Sequence, residues 1–189
     1  MILVAEFEVK GPFREKEVVE LFAKEGIQYK TRNERYKLLN NTMFEKTNGG
    51  YWISFSKDKP IAVQGIGLHN GVYLLLGLVS HGSDYAGKLD ASDTRGAGTV
   101  VSNKVIELHG DKPIVGMAKP AGKKVFSKVG FRDIEIENGN VVGQEDIPQD
   151  VKDVIELVYS KGVIPSEVAP IRKLYFKPIS NWFYIMQRK

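Results

Sequence analysis

The chain has 189 residues, 42% of them apolar, which suits one domain with a substantial core and is too short to expect two of ordinary size. It contains no cysteine, so disulfides, thiolate metal sites and a cysteine nucleophile are excluded. The formal net charge of +4 permits a nucleic-acid or acidic partner without requiring one. We therefore expect a single domain over residues 1–189.

The first residues predict a strand followed by a helix. Ile2–Val9 is rich in β-forming residues, and Arg14–Lys24 carries one apolar stripe before Gly26 ends it. A second helical stretch is predicted at Tyr36–Lys46. The opening segment lacks a basic leader, and no apolar run approaches the roughly 18 residues of a membrane span. We expect a cytoplasmic protein without a membrane span.

Two hairpins are predicted next. Tyr51–Ser56 and Ile61–Leu68 flank a turn at 57–60, which is a plain hairpin signal. The Asn70-Gly71 pair favours a second, tight turn. It leads into Val72–Ser80, the most apolar run in the chain, and a strand buried on both faces has this composition.

The rest of the chain alternates helical and strand patterns, with a further turn at Asn138-Gly139. The predicted order is a long polar loop at 81–94, helix 99–108, strand 114–118, helix 121–129, strand 131–136 and helix 149–161. No internal repeat or low-complexity segment divides the chain.

The tail, Arg172–Met186, interleaves aromatic and basic residues in two strand-like segments divided by Pro178. Rings and positive charges in this arrangement are typical of nucleic-acid surfaces, where they stack on bases. The same pattern is more often a half-buried edge hairpin. Both interpretations stay open at this point.

A glycine turn, RGAG, opens the helix at 99–108. Gly96 and Gly98 have no Cβ, so the backbone can turn tightly and direct successive N–H groups at an anion. The helix that follows adds its unpaired first-turn N–H groups and its positive dipole end. Arg95 adds a guanidinium, which matches phosphate geometry. The turn alone is compatible with a phosphate site, but a plain strand-to-helix turn is the commoner use of such a motif.

The runs RGAGTVVSNKVIEL, PIVGMAK and AGKKVFSKVGFRDI resemble the cofactor-binding half of the GCN5-related N-acetyltransferase (GNAT) superfamily. An R/Q-x-x-G-x-G/A loop binds the pyrophosphate of acetyl-coenzyme A in that superfamily. Arg95 and Gly98 match its first and fourth positions, and Gly130 and Phe131 match a later Gly-Phe pair. The resemblance implies an α/β (α+β) fold, a mixed, mostly antiparallel central sheet flanked by helices.

Three positions depart from the superfamily pattern. Val100 replaces the usual Gly or Ala at the sixth loop position and crowds the approach of a pyrophosphate. Phe126 stands where many relatives carry a Tyr that protonates the departing thiolate, and phenylalanine has no proton to give. Lys119 replaces a frequent Asn, and it can still reach phosphate or pantetheine oxygen.

Transfer of an acyl group from a thioester to an amine requires an oriented donor, a neutral amine and stabilised charge on the carbonyl oxygen. The resemblance implies that backbone N–H groups at the splayed end of the central strand, Leu78 to Ser80, stabilise that oxygen. His81 follows this strand end and suits proton abstraction near neutral pH, with Asp84 and Tyr85 on the same loop. The alternative for His81 is a solvent-exposed loop histidine.

The resemblance therefore implies an acyl-coenzyme-A-dependent N-acyltransferase with an amine-bearing small molecule, protein or nucleobase as acceptor. The expected cofactor-binding residues are Leu78, Val79, Ser80, Arg95, Gly96, Ala97, Gly98, Thr99, Lys119, Lys124 and Phe126. The expected acceptor-side residues are Tyr29, Arg32 and Arg35. The alternative is a catalytically silent member of the fold that binds nucleic acid or another protein, and Val100 and Phe126 favour it. No metal site is expected, because the three histidines are scattered.

Overall fold

The structure is a computed structural model, and it describes residues 6–29, 50–118, 126, 128, 131–143, 145, 147–153, 156 and 184–188. Nine strands lie in these ranges: β1 (Glu8–Phe13), β2 (Tyr51–Ser56), β3 (Lys59–His69), β4 (Val72–Ser80), β5 (Ile114–Ala118), β6 (Phe131–Asp133), β7 (Ile136–Glu137), β8 (Asn140–Val141) and β9 (Tyr184–Arg188). The helices are α1 (Glu15–Ala23), the 3-10 turn η1 (Gly82–Tyr85), α2 (Ala91–Thr94) and α3 (Ala97–Leu108).

Seven of the strands form one sheet in the order β1-β2-β3-β4-β5-β9-β6. Every neighbouring pair is antiparallel except β4 and β5, which are parallel and are connected through η1, α2 and α3. β7 and β8 form a separate small hairpin. The mixed, mostly antiparallel sheet predicted from the sequence is confirmed.

The core lies around β2, β3 and β4, because these strands carry apolar residues on both faces. α3 packs across all three strands and buries Val101 and Val105 against them. α1 buries Val18 and Phe22, and the stripe predicted for this helix is confirmed. Fully buried side chains of the core include Val18, Phe22, Ile53, Ile61, Val63, Ile66, Val101 and Val105.

The tight turns follow the turn chemistry of the sequence. Asn70 and Gly71 have φ of 45° and 85°, and Asn138 and Gly139 have φ of 50° and 82°. These left-handed values are what a two-residue hairpin turn requires, and Asn-Gly tolerates them well. The β2–β3 turn is tighter than the predicted 57–60. It contains only Lys57-Asp58, both with positive φ, so β3 begins at Lys59.

Several predicted boundaries are wrong. The first strand, predicted to end at Val9, continues to Phe13 and includes Pro12, which an edge strand tolerates because a missing N–H there breaks no ladder. The single strand predicted at 131–136 is two short strands, β6 and β7, in different sheets. The polar loop at 81–94 is largely folded into η1 and α2. A Cβ on Gly82 would lie 2.9 Å from Thr94, so glycine lets these two turns meet.

The tail gives a further correction. β9 lies between β5 and β6, so residues 184–188 form an interior strand of the sheet and the edge-hairpin interpretation is wrong for them. Residues 172–183 lie outside the described residues, as does the helix predicted at 36–46. Within the helix predicted at 121–129, Phe126 and Lys128 are described and both are helical. Residues 149–153 and 156 of the last predicted helix are helical.

Candidate functional site

The parallel strands β4 and β5 pair over a short distance only. The register runs from Tyr73 with Ile114 to Leu75 with Gly116. β4 continues to Ser80 along β3, while β5 continues to Ala118 along β9. The two strands therefore separate beyond Leu75 and Gly116, and this is the splayed end that was predicted for the central strand.

A β-bulge interrupts β4 where this separation begins. Val63 pairs with Val79, but Gly65 pairs with Leu76, so Gln64 alone faces the two residues Gly77 and Leu78. A bulge of this kind bends the strand and redirects its backbone groups, and bulges are frequent next to active sites. The backbone of residues 77–80 therefore changes direction where the gap between β4 and β5 begins.

The predicted strand-end residues surround this bulge. Leu78 and Val79 are half-buried, and Ser80 is exposed. Val79 and Ser80 pair with Val63 and Ala62 of β3. The Ser80 hydroxyl accepts a hydrogen bond from the Gly82 N–H at 3.4 Å, which begins the turn into η1.

The glycine turn forms the start of α3. Gly96 has a φ of 87° and caps the helix without a side chain, so the helix begins two residues earlier than predicted. The first-turn N–H groups of Ala97, Gly98 and Thr99 receive no side-chain cap, and no acidic residue lies in this turn. Such a helix start attracts anions through its free N–H groups and its dipole.

Gly98 connects this helix start to the bulge. A Cβ built on Gly98 would lie 3.6 Å from the Leu78 side chain. That distance is an ordinary packing contact, so packing within the chain does not require a glycine here. The start of α3 and the β4 bulge are thus close together. They are compatible with a ligand that contacts α3 through a phosphate and extends into the gap beside the bulge.

Basic charge lies close to the same turn. Arg95 is exposed and forms no ion pair with any other described residue. The preceding helix α2 is tied to the β2–β3 turn by an ion pair of 3.1 Å from Lys57 to Asp93. The hydrogen bond from Lys57 lowers the pKa of Asp93. This contact fixes the segment that presents Arg95 and the glycine turn.

His81 follows directly after the end of β4 and is paired with Asp84. Its Nδ1 is 2.8 Å from Asp84 Oδ2, and its backbone N–H donates to Ile61. An ionised carboxylate only accepts hydrogen bonds, so Nδ1 is the donor of this contact, and in a neutral imidazole the lone pair is then on Nε2. This is the orientation that a general base requires.

The His81 ring is buried, with 8% of the residue exposed, so the alternative of a solvent-exposed loop histidine is wrong. Its centroid lies 4.7 Å from Phe22 and 5.8 Å from Tyr29. Nε2 is itself buried and has no hydrogen-bond partner among the described residues, so an amine can reach it only if neighbouring side chains move. The structure thus brings His81 and Asp84 together with Tyr29, which was expected on the acceptor side.

Tyr85 occupies a different environment from the one expected of a catalytic group. It is 1% exposed, and its hydroxyl donates a hydrogen bond of 2.7 Å to the Pro60 carbonyl. Burial, with smaller contributions from Glu25 and Asp84, raises the pKa of this phenol well above its ordinary value. The geometry makes Tyr85 an anchor that holds η1 against β3.

Of the remaining predicted site residues, the structure describes Phe126 but not the four basic ones. Phe126 is 5% exposed and packs on Phe131 with ring centroids 5.3 Å apart, so it belongs to the core. Lys119, Lys124, Arg32 and Arg35 lie outside the described residues.

Sequence reasoning missed a group of buried polar side chains beneath α3. Ser54, Gln64 and Ser102 are each fully buried and hydrogen-bonded. One signal was available in the sequence, since Gln64 interrupts an otherwise apolar strand. A polar residue in such a strand requires a buried partner.

No group of three or more His, Cys, Asp or Glu residues in the described part of the chain is placed to hold a metal ion. No helix there is both long and apolar enough to cross a membrane.

Several solved structures are similar to this chain. One is Arabidopsis thaliana Naa50 in complex with the bisubstrate analogue CoA-Ac-MVNAL, at 13% identity and a TM-score of 0.48, covering 97% of this chain and 98% of that one. A GNAT-family acetyltransferase from Staphylococcus aureus has 14% identity and a TM-score of 0.49, with 97% and 98% covered. Escherichia coli ElaA has 10% identity and a TM-score of 0.47, with 97% and 99% covered.

At these identities the similarities assign no residue a role. No protein-family model matches the chain, and no curated protein matches it.

Proposed function

We propose that this chain is an acyl-coenzyme-A-dependent N-acyltransferase, a divergent member of the GNAT superfamily that transfers an acetyl or related acyl group to an amine. One observation carries the proposal. The uncapped start of α3 lies against Leu78 in the β4 bulge, at the place where β4 and β5 separate. A phosphate site and a strand gap are therefore adjacent, as a ligand with a phosphate at one end and a reactive thioester at the other requires.

Two elements of the chain bind such a ligand: the start of α3 and the end of β4. The N–H groups of Ala97, Gly98 and Thr99 meet the pyrophosphate, and the Arg95 guanidinium adds a charge-assisted contact. The backbone of Leu78 to Ser80 lines the gap and offers N–H groups to the carbonyl oxygen of the acyl group. Lys119 and Lys124 are proposed to contact phosphate on the basis of the sequence resemblance alone.

His81 is the proposed general base. Asp84 fixes its Nδ1–H and stabilises the imidazolium that forms when Nε2 accepts a proton. When bound, the acyl thioester supplies the activated carbonyl carbon: the amine nitrogen bonds to it as the carbon–sulfur bond breaks. His81 Nε2 takes the proton that the amine nitrogen loses. We propose that the departing sulfur takes its proton from solvent; Phe126 has no proton to give, and the Tyr85 hydroxyl is bonded to Pro60.

The acceptor is an amine of a small molecule, a protein or a nucleobase. Tyr29 is buried beside His81 and stacked on Phe22 with centroids 5.7 Å apart, and it is proposed to line the acceptor side. Arg32 and Arg35 follow it in the chain and are proposed to contact the acceptor on the basis of sequence alone.

A coenzyme A titration followed by thermal unfolding tests the proposal. Ligand that binds only the folded chain raises the melting temperature by mass action. Gly98→Asp places a carboxylate in the first turn of α3, which favours the free helix through its dipole but repels phosphate. We expect this variant to keep or raise the melting temperature of the free protein and to lose the coenzyme A effect.

Gly110→Asp is the matched control, because Gly110 is exposed just beyond the other end of α3 and a Cβ there makes only ordinary contacts. It should retain the full coenzyme A effect. The absence of any shift at millimolar coenzyme A with the unmodified chain would overturn the proposal in favour of the catalytically silent binding protein.

A further inference from the structure

Two buried serine hydroxyls connect α3 to the sheet. Ser54 of β2 donates a hydrogen bond of 3.0 Å to the carbonyl of Ala97, the first residue of α3. Ser102, one turn further along the helix, donates a hydrogen bond of 3.0 Å to Gln64 Oε1 of β3. All three side chains are fully buried. The helix is therefore held at its first turn and again at its next turn by directional contacts.

Gln64 also belongs to the strand geometry at the bulge. Its position on β3 faces Gly77 and Leu78, the two residues of the β4 bulge. Its Nε2 donates a hydrogen bond of 2.9 Å to the Gly65 carbonyl. One buried amide thus contacts α3 through its oxygen and β3 through its nitrogen, directly opposite the redirected backbone of β4.

Buried hydroxyls of this kind add little net stability to the packing of a helix on a sheet. Desolvation of polar groups offsets most of what their hydrogen bonds contribute, and apolar residues of similar shape stabilise comparably. An apolar contact, however, tolerates sliding of a helix along a sheet, whereas a hydrogen bond fixes distance and direction. The contacts of Ser54 and Ser102 therefore constrain the position of the first turn of α3 along β2 and β3.

We propose that Ser54 and Ser102 are positioning residues that hold the phosphate-binding turn of α3 in register with the acyl-binding bulge of β4. The proposal rests on the proposed function and deepens it. A ligand that spans both elements gains affinity because its second end binds at a high effective concentration once the first is bound. That gain depends on the distance between the two elements, and the two serines set it.

The experiment compares Ser54→Ala and Ser102→Ala with the unmodified chain by calorimetric titration of two probes. Coenzyme A spans the helix turn and the gap, whereas pantetheine carries no phosphate and occupies the gap alone. We expect each substitution to weaken coenzyme A binding about tenfold. Pantetheine binding, measured by displacement at millimolar concentration, should change less than about twofold. The two variants act on separate contacts, so one remains informative if the other does not fold.

Ser56→Ala is the matched control. Ser56 lies two residues further along β2 and is 3% exposed, so its substitution also removes a buried hydroxyl from that strand. It should leave coenzyme A binding within twofold of the unmodified value. Unchanged coenzyme A affinity in both folded variants would overturn the positioning role, and so would equal losses for coenzyme A and pantetheine or an equal loss in Ser56→Ala. If the unmodified chain fails to bind coenzyme A, the proposed function itself fails, which is a distinct outcome.

Discussion

The imidazole of His81 and the carboxylate of Asp84 form a hydrogen bond of 2.8 Å across the start of η1, directly after the central strand β4. His81 is buried against aromatic rings, and half of the Asp84 side chain is exposed to solvent. The pair therefore fixes a buried imidazole at the strand end while the carboxylate beside it stays partly solvated. This arrangement motivates the first two predictions.

His81→Ala should lower acyl transfer to a competent amine by roughly tenfold or more, since general-base catalysis typically contributes about 10²–10⁴-fold. Steady-state rates with an acyl-coenzyme A donor measure this effect, and coenzyme A affinity should be unchanged. His69→Ala is the control, because His69 lies at the far end of β3 and should leave the rate unaltered. A full rate in His81→Ala would exclude this residue as the base.

Asp84→Asn should lower the rate less than His81→Ala, because the asparagine amide can still accept the Nδ1–H but no longer stabilises an imidazolium. The double variant should be no slower than His81→Ala alone, since residues that act as a unit are not additive. The measurement is a double-mutant cycle on the rate. Additive losses would show that Asp84 acts independently of His81.

Tyr85→Phe should destabilise the fold and leave acyl transfer unchanged. Its hydroxyl is the donor to the buried Pro60 carbonyl, and a buried acceptor left without its donor costs about 1–3 kcal/mol. Denaturant unfolding measures this loss. A reduced rate in a variant of normal stability would instead give Tyr85 the catalytic role that was expected from the sequence.

Tyr85 should also make the free energy of unfolding depend on pH in the alkaline range. Burial raises the pKa of Tyr85 above the value near 10 of an unfolded tyrosine. Its contribution to stability is therefore complete below about pH 10 and is lost as the pH rises towards the folded pKa. Tyr85→Phe should make the alkaline limb of the stability profile less steep, and an unaltered limb would contradict this assignment.

The contact between His69 and Asp150 should make the free energy of unfolding weakly dependent on pH in the acid range. His69 Nε2 lies 2.6 Å from Asp150 Oδ2, and this hydrogen bond lowers the pKa of the carboxyl. Its stabilisation is present above the unfolded value of about 3.9 and is lost as the pH falls through the lowered folded pKa. Because Asp150 is partly exposed, we expect about 0.2–1 kcal/mol, to be measured as a flatter acid limb in Asp150→Asn. A variant with an unchanged acid limb would show that the contact contributes nothing.

Local chemistry in the sequence determined most of the elements. The Asn-Gly pairs at 70–71 and 138–139 predicted tight turns that the structure confirms, because their positive φ angles are a local property. The apolar run Val72–Ser80 predicted the central strand with its observed bounds. The strand at Ile114–Ala118 was also predicted with its bounds, and α3 to within two residues of its start.

The sequence could not supply the contacts that form only when distant segments meet. The bulge of β4 depends on how Gln64 of β3 pairs with it, and periodicity within one strand carries no information about register. The burial of His81 depends on Phe22 and Tyr29, which precede it by more than 50 residues. The interior place of β9 depends on pairing with β5 and β6. Local chemistry thus determined the elements and the glycine turn, while long-range pairing decided the bulge, the buried base and the position of α3, because these are set by the partner across the sheet.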